Sequence, residues 1–98
     1  MTSAEAIGTI RECVEADRVI IKDHCAQRLA ERGLFWGDLL CLLDSPTRVR
    51  KDGEDEFGRE RWFVRGRLGE DYAAEVLCVI DIDMDGPMTV FVTVYWEK

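Results

Sequence analysis

The feature that most constrains the fold is a change of hydrophobic period near Thr47. Before Thr47, apolar residues recur every three or four positions, which is the spacing of one helix face. After it, apolar and polar residues alternate, as they do in a strand with one buried face. Helices followed by strands predict an α+β fold, with two or three N-terminal helices packed on one face of an antiparallel sheet.

The helical part predicts three short helices, separated by one β-prone stretch at 19–21. The predicted helices are Ser3 to about Asp17, His24 to about Arg32, and about Trp36 to Leu43. Ser3 and Asp23 are the expected N-caps, because a short polar side chain can accept a hydrogen bond from the first helical turn. Gly33 and the pair Ser45-Pro46 are the expected ends of the second and third helices.

The alternating part predicts a meander of three or four strands at about 47–51, 59–68, 72–83 and 88–96, with a hairpin turn at Asp85-Gly86. In the second strand, the alternation separates an arginine face from an apolar face. The arginine face consists of Arg59, Arg61, Phe63, Arg65 and Arg67. We expect Phe91, Thr93 and Tyr95 of the last strand to lie on that same outer face.

The chain has 98 residues, which predicts a single domain spanning 1–98. Its net charge of -7 excludes a broad basic surface for polyanions, although residues 48–67 are locally basic. Apolar runs such as Val76 to Ile80 are too short to span a bilayer, so we expect no membrane association. The N-terminus has no basic segment typical of a signal peptide, which favours a cytoplasmic location.

The sequence favours no metal or cofactor. The four cysteines lack C-x-x-C spacing, and we expect them to be small core residues. A single histidine excludes sites built on several histidines. Asp81 to Gly86 matches the first half of a calcium loop, but the twelfth position, which needs a glutamate, is Val92. We therefore interpret this segment as an acidic hairpin turn, and leave weak cation binding there open.

Three groups of residues could carry chemistry. His24 precedes Arg28 by four positions, so a proton-transfer group and a phosphate-binding guanidinium share one helix face. The arginine row could bind phosphate, or it could be a solvated face balanced by nearby acids. Thr93 and Tyr95 could contact a ligand, or they could simply reflect the strand preference of Thr and Tyr.

The sequence also resembles a small bacterial family, the domain of unknown function numbered 4258. The resemblance rests on IIKDHCAQRLAERGLFWGDLLCLLDSPTRV followed by RWFVRGRL, EVLCVIDID and MTVFVTVYW. The matching residues are His24, Arg28, Glu31, Arg32, Gly33, Asp38, Pro46, Arg65, Gly66, Thr93 and Tyr95. The chain departs from that family's pattern at Cys25, where alanine is common.

That family is similar to the RelE, BrnT and MqsR toxins, which are metal-independent endoribonucleases neutralised by an antitoxin. The resemblance implies catalytic roles for His24, Arg28, Arg65 and Tyr95. It implies RNA-binding or phosphate-binding roles for Arg61, Arg67 and Thr93. The expected products carry 2′,3′-cyclic phosphate ends, and the expected partners are an RNA substrate and an antitoxin.

The net charge of -7 departs from the basic surface of such toxins. The alternative is a catalytically silent domain of the same fold, which uses its acidic surface to bind a protein. The sequence leaves open whether the chain is an enzyme. It also leaves open the RNA target, the antitoxin and the oligomeric state.

Overall fold

The computed structural model describes residues 1–69 and 72–97 of the chain. It is an α+β fold whose three helices lie in the N-terminal part. The helices are α1 (Ser3–Glu15), α2 (Asp23–Ala30) and α3 (Trp36–Asp44). The strands are β1 (Val19–Ile21), β2 (Arg48–Glu54), β3 (Glu60–Leu68), β4 (Tyr72–Asp83) and β5 (Gly86–Trp96). Within these ranges no helix is long and apolar enough to cross a membrane.

One sheet contains all five strands, in the order β1-β5-β4-β3-β2. Strands β2 to β5 form the expected antiparallel meander. The prediction of three or four antiparallel strands was wrong in one respect: β1 is a fifth strand, and it pairs parallel to β5, with Ile21 opposite Phe91. This pairing joins segments about seventy residues apart, so the local pattern at 19–21 could not reveal it.

The helices pack on one face of the sheet and form a single core with it. The core residues of the sheet alternate along the strands, as in Trp62 and Val64 of β3 and Val76 and Cys78 of β4. Gly66 takes the next position of this row, and a Cβ built there would lie 3.1 Å from the Leu42 side chain of α3. A glycine at this position therefore allows α3 to lie close to β3.

Two of the predicted helix caps differ from the observed ones. The N-cap of α1 is Thr2 rather than Ser3, and a capping box joins the Thr2 side chain to the backbone of Glu5 and the Glu5 side chain to the backbone of Thr2. The N-cap of α2 is Lys22, without a side-chain hydrogen bond. Asp23 is instead the first helical residue, where its charge still suits the positive end of the helix dipole.

A bulge in β5 changes which residues of that strand face the core. The register shifts opposite Leu77 and Cys78, so that two residues of β5, Val92 and Thr93, occupy the space of one. As a result Phe91 is fully buried in the core, and the prediction that it lies on the outer face was wrong. Thr93 opposes Leu77 on the outer face, where it was expected.

Three of the four cysteines are core residues, as predicted. Cys13, Cys25 and Cys78 are buried, whereas Cys41 is exposed on α3. Burial raises the pKa of the Cys25 thiol to about 11. Burial and the neighbouring Cys25 also raise the pKa of Cys78. The thiols of Cys25 and Cys78 are therefore protonated and unreactive in the folded chain at neutral pH.

Candidate functional site

The candidate site is the sheet face opposite the helices, which we call the open face. It carries Arg61, Phe63 and Arg65 of β3 with Leu77 and Val79 of β4. Leu77 and Val79 are buried although they lie outside the main core. Beside them lies a shallow concavity of about 290 Å³. The concavity is lined by Lys22, Asp55, Arg59, Arg61, Leu77, Val79, Val90 and Val92.

Ion pairs engage four arginines of the open face. Arg59 Nε lies 2.7 Å from an Asp55 carboxylate oxygen. Arg61 pairs with Asp52 at 3.3 Å, and Arg50 pairs with Glu75 at 3.3 Å. Arg65 donates from its Nε to the carboxylate of Glu97. A phosphate group would have to compete with a carboxylate for each of these guanidinium groups.

Two of these pairs shift the pKa of a participating group. The hydrogen bond to Glu97, followed by the charge of that carboxylate, raises the pKa of Arg65. Desolvation pushes the pKa of Asp55 upward, but hydrogen bonds from the backbone and side chain of Arg59 and from the backbone of Phe57 outweigh it. The pKa of Asp55 is therefore lowered, and its carboxylate stays ionised beside Arg59.

The second part of the site is the edge of β5, where α2 continues from β1. The backbone N–H of Lys22 donates to Phe91 O at 2.9 Å. Six residues further along the chain, Arg28 Nε donates to Val94 O at 3.0 Å. These two bonds place the first turns of α2 along the edge of β5 beyond the reach of β1.

His24 and Arg28 lie on the same side of α2, one turn apart, as their spacing predicted. His24 is exposed, and within the described ranges it makes no hydrogen bond or ion pair. Arg28 is half-buried and lies 3.8 Å from Glu31 as well as bonding to Val94 O. The imidazole is thus accessible from solvent, beside a guanidinium that is fixed to the strand edge.

Tyr95 and Thr93 share the outer face of β5 but differ in accessibility. Tyr95 is 48% exposed, and its ring centroid lies 5.9 Å from that of Phe63. Thr93 is only 6% exposed, and its hydroxyl has neither accessible surface nor a hydrogen-bond partner within the described residues. Thr93 therefore does not present its hydroxyl to a ligand in this conformation, whereas Tyr95 does.

The structure assembles only part of the predicted residue set. His24, Arg28 and Tyr95 lie along β5. Arg65 of β3 and Tyr95 of β5 are both register partners of Glu75, so one strand, β4, separates them. By contrast β1, which leads into α2, lies three strand spacings from β3, roughly 14 Å. The Arg61 side chain is directed to β2, where it pairs with Asp52 at 3.3 Å. Arg67, near the far end of β3, is exposed.

Three residues of this region were not singled out from the sequence. Arg50 of β2 lies with its guanidinium carbon 4.3 Å from the centroid of Phe63, and it pairs with Glu75. Glu75 and Glu97 each hold an arginine from the next strand but one of the sheet. The two-residue alternation of side chains along β2 and β4 puts Arg50 and Glu75 on the outer face. That alternation was the sequence signal from which their position on this face could have been predicted. The pairing itself depends on strand register, which local pattern does not specify.

In the acidic turn between β4 and β5, the Asp83 side chain is hydrogen-bonded by other residues of the chain. Asp83 accepts two hydrogen bonds from the Arg18 guanidinium, at 3.1 and 3.2 Å, and one from the backbone N–H of Asp85. In the part of the chain that the structure describes, no group of three or more His, Cys, Asp or Glu side chains could hold a metal ion.

Comparison with protein-family models, curated proteins and solved structures finds no match for this chain. The resemblance to the family numbered 4258 and the relation to RelE, BrnT and MqsR toxins therefore stay predictions. The arguments about function rest on the geometry of the open face and of the β5 edge.

Proposed function

We propose that the chain is a cytoplasmic bacterial toxin with a RelE-like fold, a metal-independent endoribonuclease held in check by an antitoxin. The observation that carries the proposal is the docking of α2 on the edge of β5. Hydrogen bonds from Lys22 N to Phe91 O at 2.9 Å and from Arg28 Nε to Val94 O at 3.0 Å bring the His24 imidazole and the Arg28 guanidinium to the edge of the strand that carries Tyr95. A base, a cation and a phenol along one strand edge are the groups that RNA transesterification needs.

In the proposed mechanism, the His24 imidazole removes the proton of a ribose 2′-hydroxyl. The 2′ oxygen attacks the adjacent phosphorus, and the bond from phosphorus to the 5′ oxygen breaks. Tyr95 donates its phenolic proton to that leaving oxygen, which gives a 2′,3′-cyclic phosphate and a 5′-hydroxyl. Arg28 stabilises the charge on the phosphorane, and Arg65, which lies across β4 from Tyr95, releases Glu97 and extends toward the phosphate when RNA binds.

The test is RNA cleavage by the purified protein in excess EDTA, comparing wild type with His24→Ala. We expect the substitution to lower the cleavage rate by about 10²- to 10⁴-fold, because it removes the general base. The matched control is Gln27→Ala, an exposed position on the same helix, which should leave the rate unchanged. Cleavage products should carry 2′,3′-cyclic phosphate ends.

Two outcomes contradict the proposal. One is the absence of cleavage by the wild type over several RNAs at low salt. The other is equal cleavage by wild type and His24→Ala, which would mean a contaminating nuclease or a site that does not use His24.

A second function is favoured by the ion pairs of the open face. Carboxylates already engage Arg50, Arg59, Arg61 and Arg65, and the net charge of the chain is -7. Such a surface opposes RNA and favours a catalytically silent protein-binding domain of the same fold. RNA binding measured at 50 and 200 mM salt separates the two functions, since a domain of the second kind has no salt-dependent affinity to lose.

A further inference from the structure

Two hairpin tips meet at one end of the sheet and expose apolar side chains there. Glu60, which follows the tip between β2 and β3, pairs with Ile80 of β4. The turn between β4 and β5 begins three residues after Ile80, at Asp83. A groove of about 240 Å³ runs between the two tips and is bounded by Phe57 on one side and Ile82 on the other.

The apolar side chains at this end are unusually exposed for their size. Phe57 is 73% exposed, Ile82 is 66% exposed, and Met84 is fully exposed. We call these three residues the apolar tip. Single exposed apolar residues are common on proteins, but a group beside a groove is typical of a binding surface. Methionine adapts its shape to a partner at little cost, which suits it to this position.

Acidic residues surround the apolar tip. The seven carboxylates of this end are Glu54, Asp55, Glu56, Glu60, Asp81, Asp83 and Asp85. Four of them pair with cationic groups of the chain, such as Arg59 with Asp55 and Arg18 with Asp83. The other three, Glu54, Glu56 and Asp85, have no cationic partner among residues 1–69 and 72–97. This end of the sheet is therefore both apolar and negatively charged.

We propose that the apolar tip docks a basic amphipathic segment of a partner protein. Apolar side chains of that segment contact Phe57, Ile82 and Met84, and its Lys or Arg side chains face Glu54, Glu56 and Asp85. The charge argues against the other occupants, because a second copy of this acidic tip, a nucleic acid and an anionic membrane would all be repelled. The proposal does not depend on ribonuclease activity, since it uses none of the residues placed in that mechanism.

The probe is an 18-residue amphipathic helical peptide made of leucine and lysine, with all leucines on one face. Binding is followed by fluorescence anisotropy of the labelled peptide and by backbone amide chemical shifts of the full chain. We expect saturable one-to-one binding that weakens with salt, and shift changes confined to residues 54–60 and 80–86. A matched peptide with glutamate in place of lysine should not bind.

Substitution then locates the contact. The double variant Phe57→Ser with Met84→Ser should weaken binding by about tenfold or more, because it removes the apolar anchors. The matched control is Phe35→Ser, which removes an equally exposed aromatic ring, 75% exposed, at the start of α3. The control should bind as the wild type does, and amide spectra verify that each variant is folded.

Charge is tested separately by the triple variant Glu54→Gln, Glu56→Gln and Asp85→Asn. We expect it to weaken binding and to remove most of the salt dependence. Three results would overturn the proposal: no binding up to about 1 mM peptide, shift changes centred on Phe35, or equal binding of the lysine and glutamate peptides.

Discussion

Gly66 is a residue whose lack of a side chain allows close packing between α3 and β3. A Cβ built on it would lie 3.1 Å from Leu42 Cγ and 3.6 Å from the backbone of Pro46, and Leu42 is itself buried. We expect Gly66→Ala to lower the free energy of unfolding by about 1–3 kcal/mol, the usual cost of overpacking a core. Urea denaturation followed by tryptophan fluorescence measures the change.

Gly8→Ala is the matched control for this prediction. Gly8 lies within α1, and a Cβ there would meet nothing within 4 Å. The substitution should raise the free energy of unfolding by about 1 kcal/mol, because alanine has the higher helix propensity. If Gly66→Ala proved as stabilising as Gly8→Ala, α3 would not be packed as closely on β3 as described.

The prediction of single residues succeeded where the pattern is local. The alternation of apolar and polar residues correctly placed Arg61, Phe63 and Arg65 on one face of the sheet and Trp62 and Val64 on the other, because successive side chains of a regular strand point to opposite faces. It failed for Phe91, since the bulge at Val92 and Thr93 interrupts the alternation of β5.

The ion pairs of the site could not be predicted residue by residue. Arg65 and Glu97 are separated by 32 positions and belong to non-adjacent parts of the sheet. Their contact follows from register and topology, which no local pattern encodes.

At the level of elements, the start of α1 depends on its capping box. Thr2 accepts a hydrogen bond from the backbone N–H of Glu5 at 3.1 Å, and the Glu5 side chain accepts one from the backbone N–H of Thr2 at 2.8 Å. We expect Thr2→Ala to lower the free energy of unfolding by about 1 kcal/mol, because it leaves an N–H of the first turn without its partner.

Thr2→Ser is the control for the capping prediction, since its hydroxyl can form the same bond and stability should be retained. Chemical denaturation of the three proteins gives the comparison, and hydrogen exchange of the α1 amides shows where stability is lost. Equal stability of wild type and Thr2→Ala would mean that the cap contributes nothing to the folded chain.

The existence and order of nearly all elements could be predicted, because helix spacing, Gly33 and the Asp85-Gly86 turn are local signals. The parallel pairing of β1 with β5 could not, since three β-prone residues do not specify a partner. This missed pairing is what organises the candidate site. Because β1 ends beside Phe91, α2 must start at the edge of β5, and His24 with Arg28 follows from that position.

At the scale of the whole molecule, the two faces of the sheet have different roles. One face joins the helices in a single core, and the other has a polar rim above Leu77, Val79 and Val90. The sequence predicted this division of faces from its period. It could not predict that the arginines of the open face would be held by carboxylates, and this feature is what separates the two proposed functions.

The thiols report on the folded molecule as a whole, and they provide the last prediction. Cys41 is exposed, whereas Cys13, Cys25 and Cys78 are buried in the native chain. We expect a thiol reagent at neutral pH to label Cys41 rapidly and the three buried thiols at least about 10³-fold more slowly. The reason is that a buried thiol must wait for opening of the core, which costs about 5 kcal/mol or more in a domain of this size.

Mass spectrometry of the labelled protein, with and without denaturant, counts the reacted thiols. Cys41→Ser removes the rapid phase and should leave the slow phase unchanged, so it separates surface reaction from core opening. In denaturant all four thiols should react together, because the burial that raises the pKa of Cys25 to about 11 is then lost. Rapid labelling of Cys25 or Cys78 in the native protein would contradict the packing of α2 against β5 and β4, on which the position of His24 depends.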